Sequence, residues 1–206
     1  MSRFTTDTGG DLLMVFAKNP EYGKVKTRLA KTIGHKKALE VYQKLLEHTR
    51  DICLQVGCFR IVYYSDFIDF DDLFDNQYFL KDEQVKGDLG ERMAMAFGES
   101  FKEGYQRIVC IGSDCYELSS DLIKKAFVAL DDNDVVIGPA KDGGYYLIGM
   151  KDNYEHLFMN KEWSTNNLLL DTLIDLKSAE LKYHLLPTLS DVDQEEDLVG
   201  ALKSII

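Results

Sequence analysis

The segment after the first predicted strand carries a cluster of positive charge on an acidic chain. It reads FAKNPEYGKVKTRL (residues 16–29), and Pro20 and Gly23 predict a bent loop within it. Phosphate groups are bound by lysine and arginine together with the backbone N–H donors of such loops. The patterns G-x-x-x-x-G-K-[ST] and G-x-G-x-x-G are both missing, and a solvated basic loop is the alternative interpretation. We expect a phosphate group of a ligand to be bound here by Lys18, Gly23, Lys26, Thr27 and Arg28.

Acidic residues at two other places have the chemistry to hold a divalent cation. Asp114 follows the apolar run RIVCI and Gly112, where a strand is expected to end. Mg²⁺ or Mn²⁺ binds such a carboxylate while it keeps water and substrate phosphates as further ligands. Asp191 and Asp193 precede the last predicted helix, and we expect one of them, Asp193, to complete the site. Helix capping is the alternative at both places.

Two glycine-containing motifs add candidates for binding the substrate. In GPAKDGGYYLIG (residues 138–149), Asp142 precedes two glycines that let a ligand approach the backbone closely. Asp142 is a candidate base or orienting group for an acceptor, although a tight hairpin turn explains the string nearly as well. In GDLGERM (residues 87–93), Gly87 and Asp88 begin a predicted helix whose first amides can hold an anion or a sugar hydroxyl. An acidic helix start explains this motif equally well.

These residues lie between alternating predicted strands and helices. Short apolar runs predict strands, and apolar residues at helical spacing predict helices. The strands are expected at residues 12–17, 59–64, 107–111, 134–137, 145–150 and 183–186. The helices are expected over residues 36–56, 89–105 and 120–130, after a cap at Ser164 or Thr165, and from Glu195 onward.

This order of elements predicts an α/β fold of three layers, with a mostly parallel sheet and helices on both faces. The Asp-Gly-Gly turn at residues 142–144 predicts one antiparallel strand. Ligands of such sheets bind at the carboxyl ends of the strands. The 206 residues contain no linker or repeat, so we expect a single domain over residues 1–206, with residues 1–10 as a disordered tail.

Composition narrows the class of partner. The formal net charge of −11 argues against nucleic acid, whose phosphate backbone requires a basic field. No apolar run is long enough to span a bilayer, and the N-terminus lacks the pattern of a signal peptide. We therefore expect a cytoplasmic protein with no membrane partner. The four cysteines show no zinc-binding spacing and are expected to be reduced and mostly buried. The oligomeric state is not indicated.

Taken in order, the motifs resemble those of the nucleotide-diphospho-sugar transferase superfamily, which has the GT-A fold. Within it they are most similar to the bacterial radical-SAM/selenodomain-associated glycosyltransferase-like family. The matching strings span residues 12–198 and are FAKNPEYGKVKTRL, GDLGERM, GSDCYEL, GPAKDGGYYLIG, WST and DVDQEEDL. The resemblance implies a nucleotide held by the first strand and loop, and a metal at an Asp-x-Asp-like position. Only Asp114 matches that position, because Ser113 and Cys115 flank it.

The resemblance and the residues together lead to a hypothesis of function. A metal-dependent transferase would use a nucleotide-sugar donor and a small acceptor, with Lys18, Lys26 and Arg28 on the diphosphate. Asp114 and Asp193 would hold Mg²⁺ or Mn²⁺. The first loop is also similar to the K-x-x-x-x-K-[ST]-R-L loop of phospholactate guanylyltransferases, which also carry a G-D-L segment. A guanylyl- or cytidylyltransferase that takes an NTP and releases pyrophosphate is therefore the first alternative, and a non-catalytic nucleotide-binding protein is the second.

Overall fold

A computed structural model describes residues 10–206 of the chain. The tail expected over residues 1–10 lies outside the described residues, apart from Gly10. The strands in chain order are β1 (Asp11–Ala17), β2 (Phe59–Tyr64), β3 (Leu80–Glu83), β4 (Arg107–Gly112), β5 (Val135–Pro139), β6 (Tyr145–Met150) and β7 (Tyr183–Leu185). The α-helices are α1 (Thr27–Ile33), α2 (His35–Leu54), α3 (Leu89–Lys102), α4 (Ser120–Asp132) and α5 (Leu168–Ser178).

Over residues 10–206 the strands form one seven-stranded sheet in the order β3-β2-β1-β4-β6-β5-β7. Strand β6 is antiparallel to both of its neighbours, β4 and β5, and the remaining pairs are parallel. The predicted fold class is therefore confirmed, including the single antiparallel strand. The turn at residues 142–144 reverses the chain between β5 and β6, as its Asp-Gly-Gly sequence predicts.

Two apolar clusters cover the two faces of the sheet. Alternation along β1 sends Leu13 and Val15 into one cluster and Leu12 and Met14 into the other. The first cluster packs α1, α2, α4 and the C-terminal segment against the sheet, and the second packs α3 and α5. Because both faces of β1 are buried, its sequence is a continuous apolar run rather than an alternating one.

The prediction of a helix from Glu195 onward is wrong. The chain there forms two short 3₁₀ helices, Glu195–Asp197 and Gly200–Ile205. Leu198 and Leu202 are buried at helical spacing, which explains the expectation. Gly200 lies between them with a φ of 52°, a left-handed conformation that interrupts a continuous α-helix.

Helix α5 begins at Leu168 and is not capped by Ser164 or Thr165, which corrects a second expectation. Thr165 Oγ1 donates to Glu162 O at 2.8 Å instead of accepting a hydrogen bond from a helix amide. Ser164 has a left-handed φ of 64°. Helix α1 and strand β3 are unpredicted elements, because α1 has only seven residues and β3 reads LKDE, without an apolar pattern.

The cysteines agree with the compositional expectation. The four thiols are free and buried, and burial raises their pKa values above the usual range. No helix within residues 10–206 combines the length and the apolar character needed to cross a membrane.

Candidate active site

The carboxyl ends of β1 and β4 lie side by side, because these strands pair in parallel with Phe16 opposite Gly112. Lys18 follows β1 and Asp114 follows β4, so the pairing brings the two residues to the same edge of the sheet. Antiparallel β6 starts at this edge with Tyr145. Open α/β sheets bind their ligands at this edge.

A buried tyrosine fixes the end of β1 to the end of β4. Tyr42 Oη accepts a hydrogen bond from Lys18 N at 2.8 Å and donates one to Lys18 O at 3.1 Å. Ser113 Oγ lies 3.0 Å from the same oxygen. Burial, and then the charge of Asp114, raise the pKa of Tyr42 well above its usual range, so the hydroxyl stays protonated. Helical spacing predicts that Tyr42 is buried but carries no sign of this bridging role.

The loop after β1 is held by Asn19, a residue that no sequence pattern marks. Its buried side chain donates from Nδ2 to Phe67 O at 2.9 Å and accepts at Oδ1 from Asp66 N at 3.1 Å. Gly23 turns the same loop with a φ of 79°, and no atom lies within 4 Å of the position a Cβ would take. Gly23 therefore shapes the loop through its conformation.

The C-terminal acidic segment, LSDVDQEEDL (residues 189–198), crosses the same edge of the sheet. Leu189 N donates to Pro139 O at 3.0 Å, and Val192 N donates to Asp114 O at 2.9 Å. Val192 is buried in the core, and the carboxylates of Asp191 and Asp193 line a cavity beside Asp114. Residues two apart in an extended chain face the same side, so the DVD spacing is a signal that both aspartates reach the site.

Lys26 lies between the acidic residues. Its side chain is only 4% exposed, and its Nζ is 2.9 Å from Asp114 Oδ1 and 3.6 Å from Asp193 Oδ1. Lys26 and Asp114 form an ion pair without an aligned hydrogen bond, because neither Lys26 Nζ nor Asp114 Oδ1 has a hydrogen-bond partner of good geometry. Lys26 caps α1 in a left-handed conformation, with φ 47° and ψ 43°. Such a backbone is uncommon for a residue other than glycine, so the surrounding contacts must hold it.

Arg28 also faces the C-terminal acidic segment. Its Nη1 lies 3.1 Å from Asp193 Oδ2, and most of its side chain is exposed. Thr27 and Arg28 line the same cavity as Lys26. Lys26 and Arg28, which the sequence assigns to phosphate, are thus paired with Asp114 and Asp193, which it assigns to a metal.

The environment of Asp191 favours a functional role for this residue, although the sequence analysis selects Asp193 as the metal ligand. Burial raises the pKa of Asp191 to about 7, and the negative charges of Asp114 and Asp142 add to this rise. The positive charge of Lys26 acts in the opposite direction. A carboxyl group held among like charges in a cleft is typical of functional sites.

The donor set fits a hard divalent cation. Asp114, Asp191 and Asp193 supply carboxylate oxygens, which Mg²⁺ and Mn²⁺ prefer, and Asp114 Oδ1 is buried without a hydrogen-bond partner. Within residues 10–206, no group of three or more His, Cys, Asp or Glu side chains already converges on one ion position. The site therefore suits an ion that takes few protein ligands and completes its shell with water and substrate oxygens, as Mg²⁺ commonly does.

Two adjoining cavities open at this edge of the described part of the chain. The charged cavity has a volume of about 500 Å³ and contains the acidic and basic residues above together with Asp142, Trp163 and Thr165. The second cavity has a volume of about 360 Å³ and has more apolar walls, which include Phe16, Leu89, Met93 and Cys110. The residues common to both are Lys18, Tyr42, Leu89, Asp114, Tyr145 and Ser164.

Gln84 and Arg92 lie at the apolar cavity. Arg92 belongs to the GDLGERM motif but is not among its predicted site residues, and no sequence pattern marks Gln84. Gln84 Nε2 donates to Tyr63 O at 2.9 Å and to Ala17 O at 3.3 Å, while its Oε1 accepts from Arg92 Nη1 at 3.3 Å. Arg92 Nε donates to Gly87 O at 2.9 Å. These bonds fix the orientation of an arginine side chain that lines the cavity.

Asp142 lines the charged cavity from the turn between β5 and β6. Its Oδ1 accepts a hydrogen bond from Gly144 N at 2.9 Å, so the carboxylate also shapes the turn. Gly143 has a φ of 89°, and a Cβ at this position would overlap the backbone of Asn166. The structure therefore accommodates both interpretations of the motif, as a turn and as part of a site.

Gly87 and Asp88 are not among the residues that line either cavity. They form a capping box instead: Asp88 Oδ1 accepts from Glu91 N, and Glu91 Oε2 accepts from Asp88 N, both at 2.9 Å. A Cβ at Gly87 would collide with the Glu91 side chain. The amide of Asp88 is thus already used by the helix, which favours the alternative of a helix start.

A family model matches residues 56–165, more than half of the chain. It describes DUF2064, a family of uncharacterized proteins conserved in bacteria. The chain belongs to this family. The matched range of this DUF2064 member includes β4, Asp114, Asp142 and the 87–93 motif, but ends before the C-terminal acidic segment. No curated protein matches the sequence.

Solved structures share the fold. A protein from Desulfovibrio desulfuricans G20, provisionally named a nucleotide-diphospho-sugar transferase, is 33% identical, with 90% of this chain and 83% of that chain covered and a TM-score of 0.83. The inositol-1-phosphate CTP transferase of T. maritima is 14% identical, with 94% of each chain covered and a TM-score of 0.59. Glucosyl-3-phosphoglycerate synthase of Mycobacterium tuberculosis is 12% identical, with 94% of this chain and 76% of that chain covered and a TM-score of 0.57.

These comparisons confirm a nucleotidyl- or glycosyltransferase-like fold of the GT-A type. The finer resemblance to the radical-SAM/selenodomain-associated family stays a prediction.

Proposed function

We propose that this protein is a metal-dependent transferase that takes a nucleotide-sugar donor and modifies a small acceptor. The observation that carries the proposal is the meeting of Asp114, Asp191 and Asp193 with Lys26 and Arg28 at the carboxyl edge of the sheet. Such an arrangement offers a diphosphate its cations and offers a hard metal its oxygens in one cavity. The protein from D. desulfuricans, with its provisional name of nucleotide-diphospho-sugar transferase, supports the same class of substrate.

Each charged group has a place in this proposal. Lys18, Lys26 and Arg28 bind the diphosphate, and Asp114 with Asp193 holds Mg²⁺ or Mn²⁺. Asp191 is an additional candidate ligand, since it lines the same cavity. The bound metal supplies positive charge that stabilises the leaving nucleoside diphosphate. The structure of glucosyl-3-phosphoglycerate synthase of M. tuberculosis is of a complex with Mn²⁺ and UDP. The fold that the two proteins share supports this choice of cofactor.

The nucleoside belongs in the apolar cavity under this proposal. Phe16, Leu89 and Met93 offer apolar surface to a base, and the cavity meets the charged one at Lys18 and Asp114. A nucleotide-sugar has the same division, with a flat base at one end and a diphosphate in the middle. The sugar and the acceptor then fall in the charged cavity.

Asp142 is the proposed base or orienting group for the acceptor. It lines the charged cavity and has a fixed orientation through its bond to Gly144 N. A carboxylate within hydrogen-bond reach of an acceptor hydroxyl removes its proton as the new bond forms. We also propose that the chain forms a single domain, because both apolar clusters pack on the same sheet.

The second candidate is a nucleotidyltransferase that attacks the α-phosphate of an NTP and releases pyrophosphate. The likeness to the CTP transferase of T. maritima, which covers 94% of this chain, supports it at the level of fold. The identity of the released product separates the two candidates, because sugar transfer releases a nucleoside diphosphate. Nucleotide binding without any released product would favour a non-catalytic binding protein instead.

A thermal-shift panel of NTPs and nucleotide-sugars, each with and without Mn²⁺, tests the proposal. We expect one nucleotide-sugar to raise the unfolding temperature by about 5–10 °C at a hundredfold excess over its Kd. Asp114→Asn should weaken that binding roughly a hundredfold, which is the upper end for changes at a metal site. Lys31→Met, an exposed change on α1, is the matched control. If no nucleotide stabilises the wild-type protein, the proposed function is wrong.

A further inference from the structure

We propose that the ammonium group of Lys26 pairs with the carboxylates of Asp114 and Asp193 in the free protein and with the diphosphate in the bound protein. A divalent ion and a diphosphate would therefore bind cooperatively. This inference rests on the proposed function. It assigns Lys26 two successive partners: Asp114 with Asp193 before binding, and the diphosphate after it. Lys26 is thus a positioning residue for the metal as well as a ligand of the phosphate.

The first support is where the lysine lies. Its ammonium is 2.9 Å from Asp114 and 3.6 Å from Asp193, the two residues assigned to the metal. The side chain is almost fully buried, and the backbone of Lys26 adopts the left-handed conformation. For a residue with a long side chain this conformation is costly, and the charge of the cluster offsets that cost. A positive charge therefore already occupies the position between the two carboxylates.

The second support is the poor hydrogen-bond geometry of the Lys26 ammonium group. An ammonium group has three N–H donors, yet the Nζ of Lys26 makes no aligned hydrogen bond among the described residues. Its partners Asp114 and Asp193 are 43% and 40% exposed, so an ion can reach them from the cavity. A buried charge with poor hydrogen bonding loses little when its partner changes, provided that it receives another anion.

Coupled binding follows from these contacts. A divalent ion alone must bind next to the ammonium of Lys26 or displace it into a buried place without an anion. A diphosphate alone must draw Lys26 away and leave Asp114, Asp191 and Asp193 to repel one another. When both bind, the carboxylates face the ion and Lys26 faces the phosphates, so each ligand removes the cost that the other meets. Two ligands that do this raise each other's affinity by the same factor.

Lys26→Met gives the sharpest test, because it predicts opposite changes for the two ligands. Binding of Mn²⁺ to the metal-free protein, measured from the electron paramagnetic resonance signal of free Mn²⁺, should become roughly tenfold tighter, since a competing charge is removed. Binding of inorganic pyrophosphate without metal, measured by calorimetry, should become roughly tenfold weaker. Lys26→Arg keeps the charge and should bind Mn²⁺ as weakly as the wild type. Lys31→Met should leave both affinities unchanged.

The overturning result is equally definite. If Lys26→Met binds Mn²⁺ no more tightly than the wild type, Lys26 does not occupy the ion position and the inference is wrong. Lys26→Asn tolerates the left-handed backbone and replaces the Met variant if that one fails to fold. In the wild type, pyrophosphate should tighten Mn²⁺ binding beyond what their complex in solution explains, and equal affinities with and without it would also overturn the inference. Failure of the proposed function gives a different pattern, namely no nucleotide binding by the wild type at any Mn²⁺ concentration.

Discussion

Lys26 and Lys81 are both buried lysines beside aspartates, and they differ in how well the ammonium group is satisfied. The Lys81 side chain is 2% exposed, and its Nζ donates to Asp72 Oδ1 and to Asp69 O, both at 2.7 Å. Asp72 itself is only 14% exposed. Lys26 is just as buried, but it has ion-pair contacts without aligned hydrogen bonds, and its partner Asp114 opens to a cavity.

The contrast distinguishes a charge that stabilises the fold from the charge to which we assign a function. Lys81 ties edge strand β3 to the acidic loop at residues 66–75. Nearly all buried polar groups in folded proteins are hydrogen-bonded, and exceptions call for an explanation. Lys81 obeys this rule and stabilises the fold. Lys26 departs from it at the edge where sheets of this kind bind their ligands, which agrees with the proposed exchange of partners.

The largest expected effect is on stability at Lys81. Lys81→Met should lower the free energy of unfolding by about 3 kcal/mol, because the buried carboxylate of Asp72 loses its cationic partner and retains neutral hydrogen bonds from Tyr64 Oη and Phe74 N. Lys26→Met should cost about 1 kcal/mol, since Asp114 can be rehydrated from the cavity. Urea unfolding with and without Mn²⁺ measures both. Mn²⁺ should remove the stability difference between the Lys26 variant and the wild type, whereas the Lys81 variant should keep its deficit relative to the wild type. Equal losses without rescue would remove the distinction between the two lysines.

The sequence predicts the scaffold well because the scaffold depends on local patterns. The apolar run at the start of the chain predicts β1 as a strand with both faces buried, and the Asp-Gly-Gly turn predicts the reversal into β6. The failures have equally local causes. Strand β3 is too polar to recognise, and the burial of Leu198 and Leu202 imitates a helix that Gly200 interrupts.

The candidate site is predicted in its components but not in its pairings. Residue types assign Lys26 to phosphate and Asp193 to metal, and both line the same cavity. That these opposite charges face one another depends on Val192 N bonding to Asp114 O, a contact between distant parts of the chain. The same is true of Tyr42, whose hydroxyl joins β1 to β4. Contacts of this kind follow from strand order, which local patterns do not encode.

A smaller effect tests whether the carboxylates around Lys26 repel one another. The pKa of Asp191 is raised from 3.8 to about 7. At pH values between these two pKa values, Asp191 therefore binds more protons in the folded protein than in the unfolded chain. Stability therefore falls as pH rises through this window, and the loss is complete above pH 7. Asp191→Asn removes the loss. At pH 8 the variant should be more stable than the wild type by about 2 kcal/mol, roughly half of what a shift of this size implies, because water in the cavity screens the charges.

Urea unfolding at pH 5 and pH 8 in the presence of EDTA measures this difference. The advantage of Asp191→Asn should shrink as pH falls toward 5, because protonation removes the same charge from the wild type. Asp132→Asn, an exposed change at the end of α4, is the control and should show no such pH dependence. If Asp191→Asn is destabilising at pH 8, the carboxylates do not repel one another and Lys26 has less charge to hold.

The smallest effect concerns Lys161, a buried lysine beside a different cavity. Its Nζ forms a short ion pair with Asp175, and both residues line an open cavity next to α5 together with His156 and Asp171. Lys161 and Lys26 thus both lie next to a cavity. They differ because Lys161 donates a hydrogen bond to its aspartate, whereas Lys26 does not. Lys161→Met should cost about 1 kcal/mol, since Asp175 is partly exposed and can be hydrated. It should leave Mn²⁺ binding unchanged in the same resonance measurement. If Lys161→Met tightened Mn²⁺ binding as Lys26→Met does, cavity exposure rather than poor hydrogen bonding would be the property that makes a buried lysine exchangeable.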